Sequence, residues 1–227
     1  MSRLRTSISS PTGVPRFAAR HKRGLETRAA ILDAAERVFA EAGLGGARTD
    51  AIAARAGVNK ALLYYYFRSK DALYYAILEE HLKQFRHRIL GVLCEEGSPR
   101  AKVLSYVSAH FDFIAGHPYF PRLLQRLAMS GGKFVDRLAR ECFAPVYRKL
   151  AAVIEEGIRN GEFRELSSFH TALSLVALVA FYFSAAPLVE AVTHVHPYEK
   201  AQLAARKAEV LKFIRHAIFK DGREAGS

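Results

Sequence analysis

Tyrosine and lysine side chains cluster in one short stretch of the first third of the chain, and their spacing suits contacts with a polyanion. Tyr64, Tyr65 and Tyr66 are consecutive, with Lys60 before them and Lys70 after them. A phenol can donate a hydrogen bond to a phosphate or a base edge, and an ammonium group attracts phosphates. The stretch therefore has the chemistry of a nucleic-acid contact; the alternative is aromatic packing beside solvated lysines.

A helix through this stretch would turn the three tyrosines to different sides. At about 100° per residue, Leu63 and Phe67 point the same way and define the direction of the core. Tyr65 then points almost directly away from the core, whereas Tyr64 and Tyr66 lie to either side. The three tyrosines therefore cannot all be buried, and we expect Tyr65 on the outer face.

In the major groove of a duplex, this geometry assigns a contact to each outer residue. Tyr65, Ala61 and Leu62 would meet base edges, where apolar groups touch thymine methyls and a phenol can hydrogen-bond. Tyr64 and Tyr66 would reach phosphates on opposite strands. The outer face would thus read sequence, and its two borders would fix the position of the helix.

Three further polar residues suit the edges of the same contact. Lys60, at the start of the helix, could read a guanine or pair with a phosphate. Thr49 offers its hydroxyl and a helix N-terminus to the DNA backbone. Lys70 would complete the clamp on the phosphates.

Apolar spacing and capping residues predict the helices that position this stretch. A first helix is predicted at about residues 26–42. Its apolar face is formed by Ile31, Ala35, Val38, Phe39 and Ala42. Gly43 follows where a left-handed residue would end that helix. Thr49 can cap a second helix that Gly57 ends, and Asn59 can cap a third. Two helices, a Gly turn and a basic aromatic helix are the layout of a helix-turn-helix DNA reader.

The residues of this layout resemble a known family. Residues 49–70 read TDAIAARAGVNKALLYYYFRSK, which is similar to the DNA-binding signature of the TetR family of bacterial transcriptional regulators. The resemblance covers about residues 25–75 and implies DNA contacts by Thr49, Lys60, Tyr64, Tyr65, Tyr66 and Lys70. Ala61 and Leu62 depart from the family, which more often has Gly and then Thr or Ser there. A leucine cannot donate a hydrogen bond to DNA.

Positive charge is concentrated toward the N-terminus. The 227 residues include 34 Lys and Arg against 22 Asp and Glu, for a net charge of +12, which indicates a polyanionic partner. Residues 1–24 hold six basic groups and no acidic one and lack apolar periodicity. We expect this segment to be a disordered basic tail that either reaches DNA or stays solvated, followed by a DNA-binding domain at residues 25–70.

The rest of the chain, residues 71–227, also has helical spacing, interrupted by Gly and Pro, and nowhere the alternation of a strand. We therefore predict an all-α fold of about nine helices, in which a larger effector-binding and dimerisation domain follows the helix-turn-helix. Cys94 and Cys142 are too few for a disulfide framework. No apolar run follows the N-terminal basic residues, so we expect a cytoplasmic protein.

A charge-free stretch, Leu166 to Val189, leaves two alternatives open. Its length would cross a bilayer, but it contains His170, several serines and Pro187 and lacks a flanking Lys or Arg cluster. A helix that is apolar all round is otherwise buried in a core or against another subunit. Because helix-turn-helix proteins pair to read a palindrome, we expect a homodimer through residues 167–192 and 198–220 and no membrane contact.

Aromatic residues in the middle helices predict a ligand pocket. Any single aromatic is more often ordinary core, but an apolar cavity with few polar groups is the usual small-molecule site, and the resemblance implies an effector domain. The expected lining is Phe111, Phe120, Leu124, Phe143, Tyr147, Phe181 and Tyr182, around a small apolar or aromatic effector. A helix at residues 71–93 would join this pocket to the DNA reader, so a ligand that tilts it would release DNA.

Other kinds of site find little support in the sequence. No Gly-rich phosphate loop, nucleophile elbow or metal-ligand spacing occurs, so we expect no enzyme, no catalytic residue, no cofactor and no metal. The predicted function is a ligand-responsive homodimeric transcriptional regulator, a repressor that a small apolar effector releases from a palindromic operator on double-stranded DNA. The alternative is a DNA-bound structural or division-control protein of the same fold that recruits a protein partner.

Overall fold

A computed structural model describes residues 14–220 of the chain, with side chains from His21 onward. Nearly all of these residues are helical, and their only strand-like pairing is an isolated bridge between Phe163 and Phe219. The predicted all-α class is therefore confirmed. The helices are α1 (Val14–Gly46), α2 (Thr49–Ala56), α3 (Lys60–Tyr66), α4 (Lys70–Cys94), α5 (Pro99–Ala115), α6 (Phe120–Ser130), α7 (Lys133–Leu138), α8 (Ala144–Arg159), α9 (Ser168–Ser184), α10 (Ala186–Thr193) and α11 (Lys200–Ile218).

The described residues form eleven α-helices where the sequence predicts nine, because proline divides two of the predicted ones. Between α7 and α8 lies a wider π-helical turn, Ala139–Phe143, and Pro145 follows in the first turn of α8. The axes of α9 and α10 differ by 68°, with Pro187 in the first turn of α10. Proline has no N–H for the helical ladder and its ring clashes with the preceding turn, so each helix restarts at the proline.

The start of α1 corrects one prediction. The helix begins at Val14, so the expected disordered tail is wrong for residues 14–24, and residues 1–13 lie outside the described residues. Ala and Arg dominate residues 16–20, and both favour helix, while Pro15 is tolerated in a first turn. Gly43 interrupts the helix as predicted, with a φ of 70° that L side chains rarely adopt.

The chain divides into two compact units, the first ending at Tyr74 and the second beginning at Tyr75. In the first unit, α1 packs on α2 and α2 on α3. Its core consists of fully or nearly fully buried apolar side chains: Ile31, Ala35, Phe39, Ile52, Leu63, Phe67 and Leu73. Each of the larger ones contributes roughly 1.5–3 kcal/mol by leaving water, so this small bundle is held by its apolar face.

In the second unit, α5 packs against α8, α9 and α11. Gly157 in α8 lies so close to the buried ring of Phe163 that an added Cβ would be 2.4 Å from two ring carbons, so only glycine fits there. Phe163 in turn stacks on Phe219, at a centroid distance of 5.1 Å, and Arg100 covers Phe219 from α5. The end of α11 is thereby fixed to the start of α5.

Among residues 14–220, no single helix is long and apolar enough to cross a membrane. In that part of the chain, only α9 and α10 taken together, as a bent pair, have the length and hydropathy of a membrane span. The buried core helices of soluble proteins meet the same two criteria.

Candidate nucleic-acid interface and ligand cavity

The turn between α2 and α3 is built by local backbone chemistry. Gly57 ends α2 in the left-handed conformation, with φ 67° and ψ 28°, and the N–H of Val58 donates to the carbonyl of Ala53. Asn59 then caps α3, since its side-chain oxygen accepts a 2.7 Å hydrogen bond from the N–H of Leu62. These are the turn and the cap that the sequence predicts. Thr49 is not the cap of α2: Arg48 occupies that position without a side-chain bond.

The third helix has the predicted orientation. Leu63 is completely buried and Phe67 nearly so, while Tyr65 is 79% exposed on the opposite side of the helix. Ala61 is also exposed, and Leu62 is half-buried. An exposed phenol on a helix anchored by two core residues can reach a groove without disturbing the fold.

The two tyrosines beside Tyr65 are held by neighbours. The hydroxyl of Tyr64, which is exposed, donates to the Thr49 hydroxyl at 3.5 Å. The ring of Tyr66 packs edge-to-face on Tyr65, with ring centroids 5.4 Å apart. Its hydroxyl lies near Gly24 of α1, 3.5 Å from where a Cβ there would be. Both phenols therefore border the outer face of α3.

The two lysines of the predicted contact have partners in the fold. Lys60 forms an ion pair with Asp50, with Nζ 2.9 Å from Oδ1, and this hydrogen-bonded carboxylate raises the pKa of the ammonium. Lys70 donates to the carbonyls of Gly45 and Ala47, at 3.3 and 3.1 Å. Lys70 thus holds the turn after α1, a contact that the phosphate-clamp prediction does not include.

A groove beside α3 contains basic side chains; Arg23 belongs to the segment expected either to reach DNA or to stay solvated, whereas His21 and Arg28 were not predicted as contacts. Along α1 it is lined by His21, Arg23 and Arg28, and along α3 by Leu62, Tyr65 and Tyr66. Arg28 also lies over the ring of Phe67, 5.4 Å from its centroid. The signal was present in the sequence, because residues 21, 24, 25 and 28 have the spacing of one helical face. Assigning residues 14–24 to a tail hid that face.

The second unit encloses an apolar cavity of about 240 Å³ between α4, α5, α6, α8 and α9. Four of the predicted pocket residues line it: Phe120, Leu124, Phe143 and Tyr147. A cavity larger than the 150 Å³ that suffices for benzene has room for a small organic molecule.

The other three predicted pocket residues lie elsewhere. Phe111 is buried against Phe183, with ring centroids 4.9 Å apart. Phe181 is exposed on α9, and Tyr182 donates its hydroxyl to the carbonyl of Pro197. The side of α9 that faces the cavity carries Val176, Ala180 and Ser184. Phe181 and Tyr182 follow at about 100° per residue and therefore point away from it.

A buried polar pair in the cavity wall was not predicted. Tyr106 and His110 lie one turn apart on α5, with the Tyr106 hydroxyl 3.2 Å from Nδ1 of His110. His110 is 4% exposed, and burial lowers its pKa to about 4 while raising that of Tyr106. Both side chains are therefore uncharged at neutral pH. Their spacing of four was visible in the sequence, but their burial depends on α4, α6 and α8.

Acid should destabilise the protein through His110. The unfolded imidazole takes up its proton near its ordinary pKa of 6.5 and the folded one only near 4, so this stability is complete above 6.5 and falls as the pH falls toward 4. The expected loss between neutral pH and the lower end of that interval is about 2–3 kcal/mol. Urea unfolding at a series of pH values measures it. Tyr106→Phe/His110→Leu should flatten the slope by this amount, and parallel slopes in the two proteins would contradict the assignment.

A second apolar surface runs between α9 and α11. Two of its aromatic side chains, Phe181 and Phe213, are 64% and 62% exposed, and both line one groove. Further exposed apolar residues on α9 and α10 are Phe169, Leu173, Leu188 and Val192. We call this set the α9–α11 face. Several large exposed apolar side chains on neighbouring helices are typical of a protein interface.

Metal-ligand clusters are not found in residues 14–220, where no three His, Cys, Asp or Glu side chains are placed to share an ion. Cys94 is exposed and Cys142 buried, and both thiols are free.

Two family models match the chain. Residues 31–77 match the model described as bacterial regulatory proteins, tetR family, and residues 99–214 match a tetracyclin repressor-like C-terminal domain. The HTH-type transcriptional regulator RutR of Escherichia coli (strain K12) is 32% identical over 172 residues, which are 72% of this chain and 77% of that protein.

Solved structures show the same fold. AibR in complex with isovaleryl coenzyme A and operator DNA aligns with a TM-score of 0.69 at 16% identity, over 82% of this chain and 97% of that one. The transcriptional regulator FadR from Bacillus subtilis, in complex with stearoyl-CoA, aligns with a TM-score of 0.64 at 23% identity, over 82% and 96%. At these identities, the likeness concerns the fold.

Proposed function

We propose the following mode of action for this chain, which belongs to the TetR family of bacterial regulatory proteins. It is a ligand-responsive, DNA-binding transcriptional regulator, as its family is. We infer that it acts as a homodimeric repressor on a palindromic operator and that a small apolar effector releases it. A bacterial chromosome lies in the cytoplasm, and we expect the protein there.

The proposed DNA contact centres on α3. Tyr65 and Ala61 meet base edges from the exposed face, with Leu62 beside them, and apolar contact with thymine methyls suits all three. Tyr64 and Tyr66, at the borders, approach the phosphates. The single observation that carries this proposal is Tyr65, exposed on a helix whose opposite side is fixed in the core.

The polar residues around α3 take supporting roles in this proposal. Lys60 exchanges Asp50 for a phosphate or a guanine, since both partners of that ion pair are exposed. Thr49 and the first turn of α2 approach the DNA backbone. Lys70 retains one free donor for a phosphate beyond its two carbonyl partners, because an ammonium group has three.

Dimerisation is proposed through the α9–α11 face, within the predicted residues 167–192 and 198–220. Its large aromatic side chains are exposed in the single chain, and burying them against a second copy gains about 25 cal/mol per Å² of apolar surface. Two helices from each subunit make a four-helix interface, a common solution for such faces. The dimer places two copies of α3 on two half-sites.

Effector binding is proposed in the cavity of the second unit. Two proteins of this fold are described with acyl coenzyme A bound, isovaleryl in AibR and stearoyl in FadR, and both acyl groups are apolar. An effector that favours the DNA-free state by about 1–3 kcal/mol would lower DNA affinity roughly 5- to 150-fold. The alternative of a protein-recruiting structural DNA binder predicts a packed interior, so the cavity favours a ligand.

Selection of bound fragments from bacterial genomic DNA tests the proposal. The purified full chain, at a stated salt concentration, should enrich fragments with an inverted repeat whose half-site centres are about 34–36 Å apart, or a multiple of one helical turn. Enrichment of fragments that lack an inverted repeat would contradict binding of the operator by a homodimer. Enrichment of no fragment at all would contradict sequence-specific binding.

A further inference from the structure

The wall of the cavity offers no partner for a charged group. Among the described residues that line it, none is Asp, Glu, Lys or Arg. An ionised group brought into such a place loses its hydration and gains no partner, which costs several kcal/mol or more. Whatever part of a ligand enters the cavity must therefore be uncharged.

Most polar groups in the cavity wall are already used or lie at its rim. The hydroxyl of Tyr147 donates to the carbonyl of Phe169, and that of Ser184 donates to the carbonyl of Phe181 at 3.3 Å. Gln125 is exposed. The pair of Tyr106 and His110 is the deeply buried polar group that remains.

The bond within this pair determines where the imidazole proton lies. The Tyr106 hydroxyl is completely buried, and Nδ1 of His110 is its hydrogen-bond partner within the described chain. A buried hydroxyl that donates to nothing costs about 1–3 kcal/mol, so this hydroxyl donates and Nδ1 accepts. Because burial lowers the pKa of His110 to about 4, the ring is neutral and carries its one proton on Nε2.

The second nitrogen of His110 is thus a hydrogen-bond donor in an apolar wall. Of the two ring nitrogens, only Nδ1 has a hydrogen-bond partner among the described residues, and the ring lines the cavity. Buried donors in proteins are almost always paired. A ligand that fills this cavity gains most if it brings an acceptor to this nitrogen.

We propose that the cavity takes an uncharged ligand with an apolar body and a carbonyl oxygen that accepts a hydrogen bond from Nε2 of His110. A ketone, an ester or the thioester end of an acyl group has this chemistry, whereas a free carboxylate does not. Tyr106 is a positioning residue, since its hydroxyl keeps the imidazole proton on the side of the ligand. The ligand class deepens the proposed function, on which its role as effector rests.

Three probes with one phenylpropyl skeleton test the ligand class: propiophenone has the ketone, propylbenzene has no polar group, and 3-phenylpropanoate has a carboxylate. Titration calorimetry on the full chain at neutral pH gives the three affinities. The comparison protein is Tyr106→Phe/His110→Leu, which removes donor and acceptor together and leaves neither unpaired. Tyr182→Phe is the matched control, because it removes a phenol hydroxyl that lies outside the cavity and donates to the carbonyl of Pro197.

In the wild type, propiophenone should bind, and the ketone should bind about tenfold or more tightly than the carboxylate. The ketone-to-hydrocarbon affinity ratio should fall about tenfold in the double variant and remain unchanged in Tyr182→Phe. Nitrogen NMR of His110 in the wild type provides a readout that does not need the variant to fold. Propiophenone should shift the Nε2 resonance, and propylbenzene should not reproduce that shift.

Three results would overturn the ligand class: no binding of propiophenone, an unchanged affinity ratio in the double variant, or a carboxylate that binds as tightly as the ketone. Release of operator DNA is measured separately. If propiophenone binds with the expected ratio and DNA stays bound, the ligand class stands, and the proposed effector role of such a ligand fails.

Discussion

Replacing Tyr65 by alanine is expected to remove most of the preference for the operator while leaving affinity for random duplex nearly unchanged. Tyr65 is the most exposed of the α3 tyrosines, at 79%, so its loss should not unfold the first unit. One good base contact contributes about 1–3 kcal/mol of discrimination, and a dimer makes it twice. The specificity ratio should therefore fall roughly 30-fold to 10⁴-fold. Fluorescence anisotropy with both duplexes at one salt concentration measures it.

Arg23→Ala is the matched comparison for this prediction. Arg23 lies in the groove beside Tyr65 and Tyr66, where a phosphate contact would carry no sequence information. Its loss should weaken operator and random duplex equally and reduce the salt slope by about two, one for each subunit of the dimer. Tyr65→Phe then separates the hydroxyl from the ring. Equal losses on both duplexes for Tyr65→Ala would show that Tyr65 does not read bases.

The turn from α2 to α3 could be predicted from the sequence because its causes are local. Gly57 supplies a positive φ, Asn59 caps the next helix, and the spacing of Leu63 and Phe67 defines the buried side. Each of these acts over at most four residues, the reach of a helical turn. These local signals agree with one another, and together they determine that Tyr65 points away from the core.

The partners of Lys70 could not be predicted, because they depend on the path of the chain rather than on residue type. The ammonium group donates to two carbonyls 23 and 25 residues earlier in the sequence, in the segment after Gly43. No pattern of side chains encodes which backbone carbonyls remain unpaired. A phosphate contact by Lys70 therefore competes with a role in holding the turn.

Three of the seven predicted pocket residues lie outside the cavity for a related reason. Aromatic type identifies candidates, but the side of a helix that faces the cavity follows from packing between distant segments. Phe120 and Phe143 line the cavity, whereas Phe111 lies in the core and Phe181 on the surface. All four have the same side chain, so only tertiary structure separates them.

Replacing Phe181 by glutamate is expected to separate the subunits. The side chain lies on the α9–α11 face, and in a dimer the change would bury one carboxylate from each copy in an apolar interface, at a cost of several kcal/mol each. The mass in solution should fall to that of one chain, 25.3 kDa, by light scattering. A single α3 loses the second half-site, so operator affinity should fall about 10²- to 10⁴-fold.

Phe213→Glu, on α11, should give the same result, because it lies in the same groove. Met129→Glu is the control: Met129 is 83% exposed on α6, and glutamate there meets water in monomer and dimer alike. If all three variants kept the mass of a dimer, the α9–α11 face would not be the subunit interface. If Met129→Glu alone became monomeric, the interface would involve α6. The expected result is that Phe181→Glu and Phe213→Glu separate the subunits while Met129→Glu remains a dimer. Operator binding by α3 would then depend on the exposed aromatic side chains of the α9–α11 face, because only paired subunits can hold two copies of α3 on one duplex.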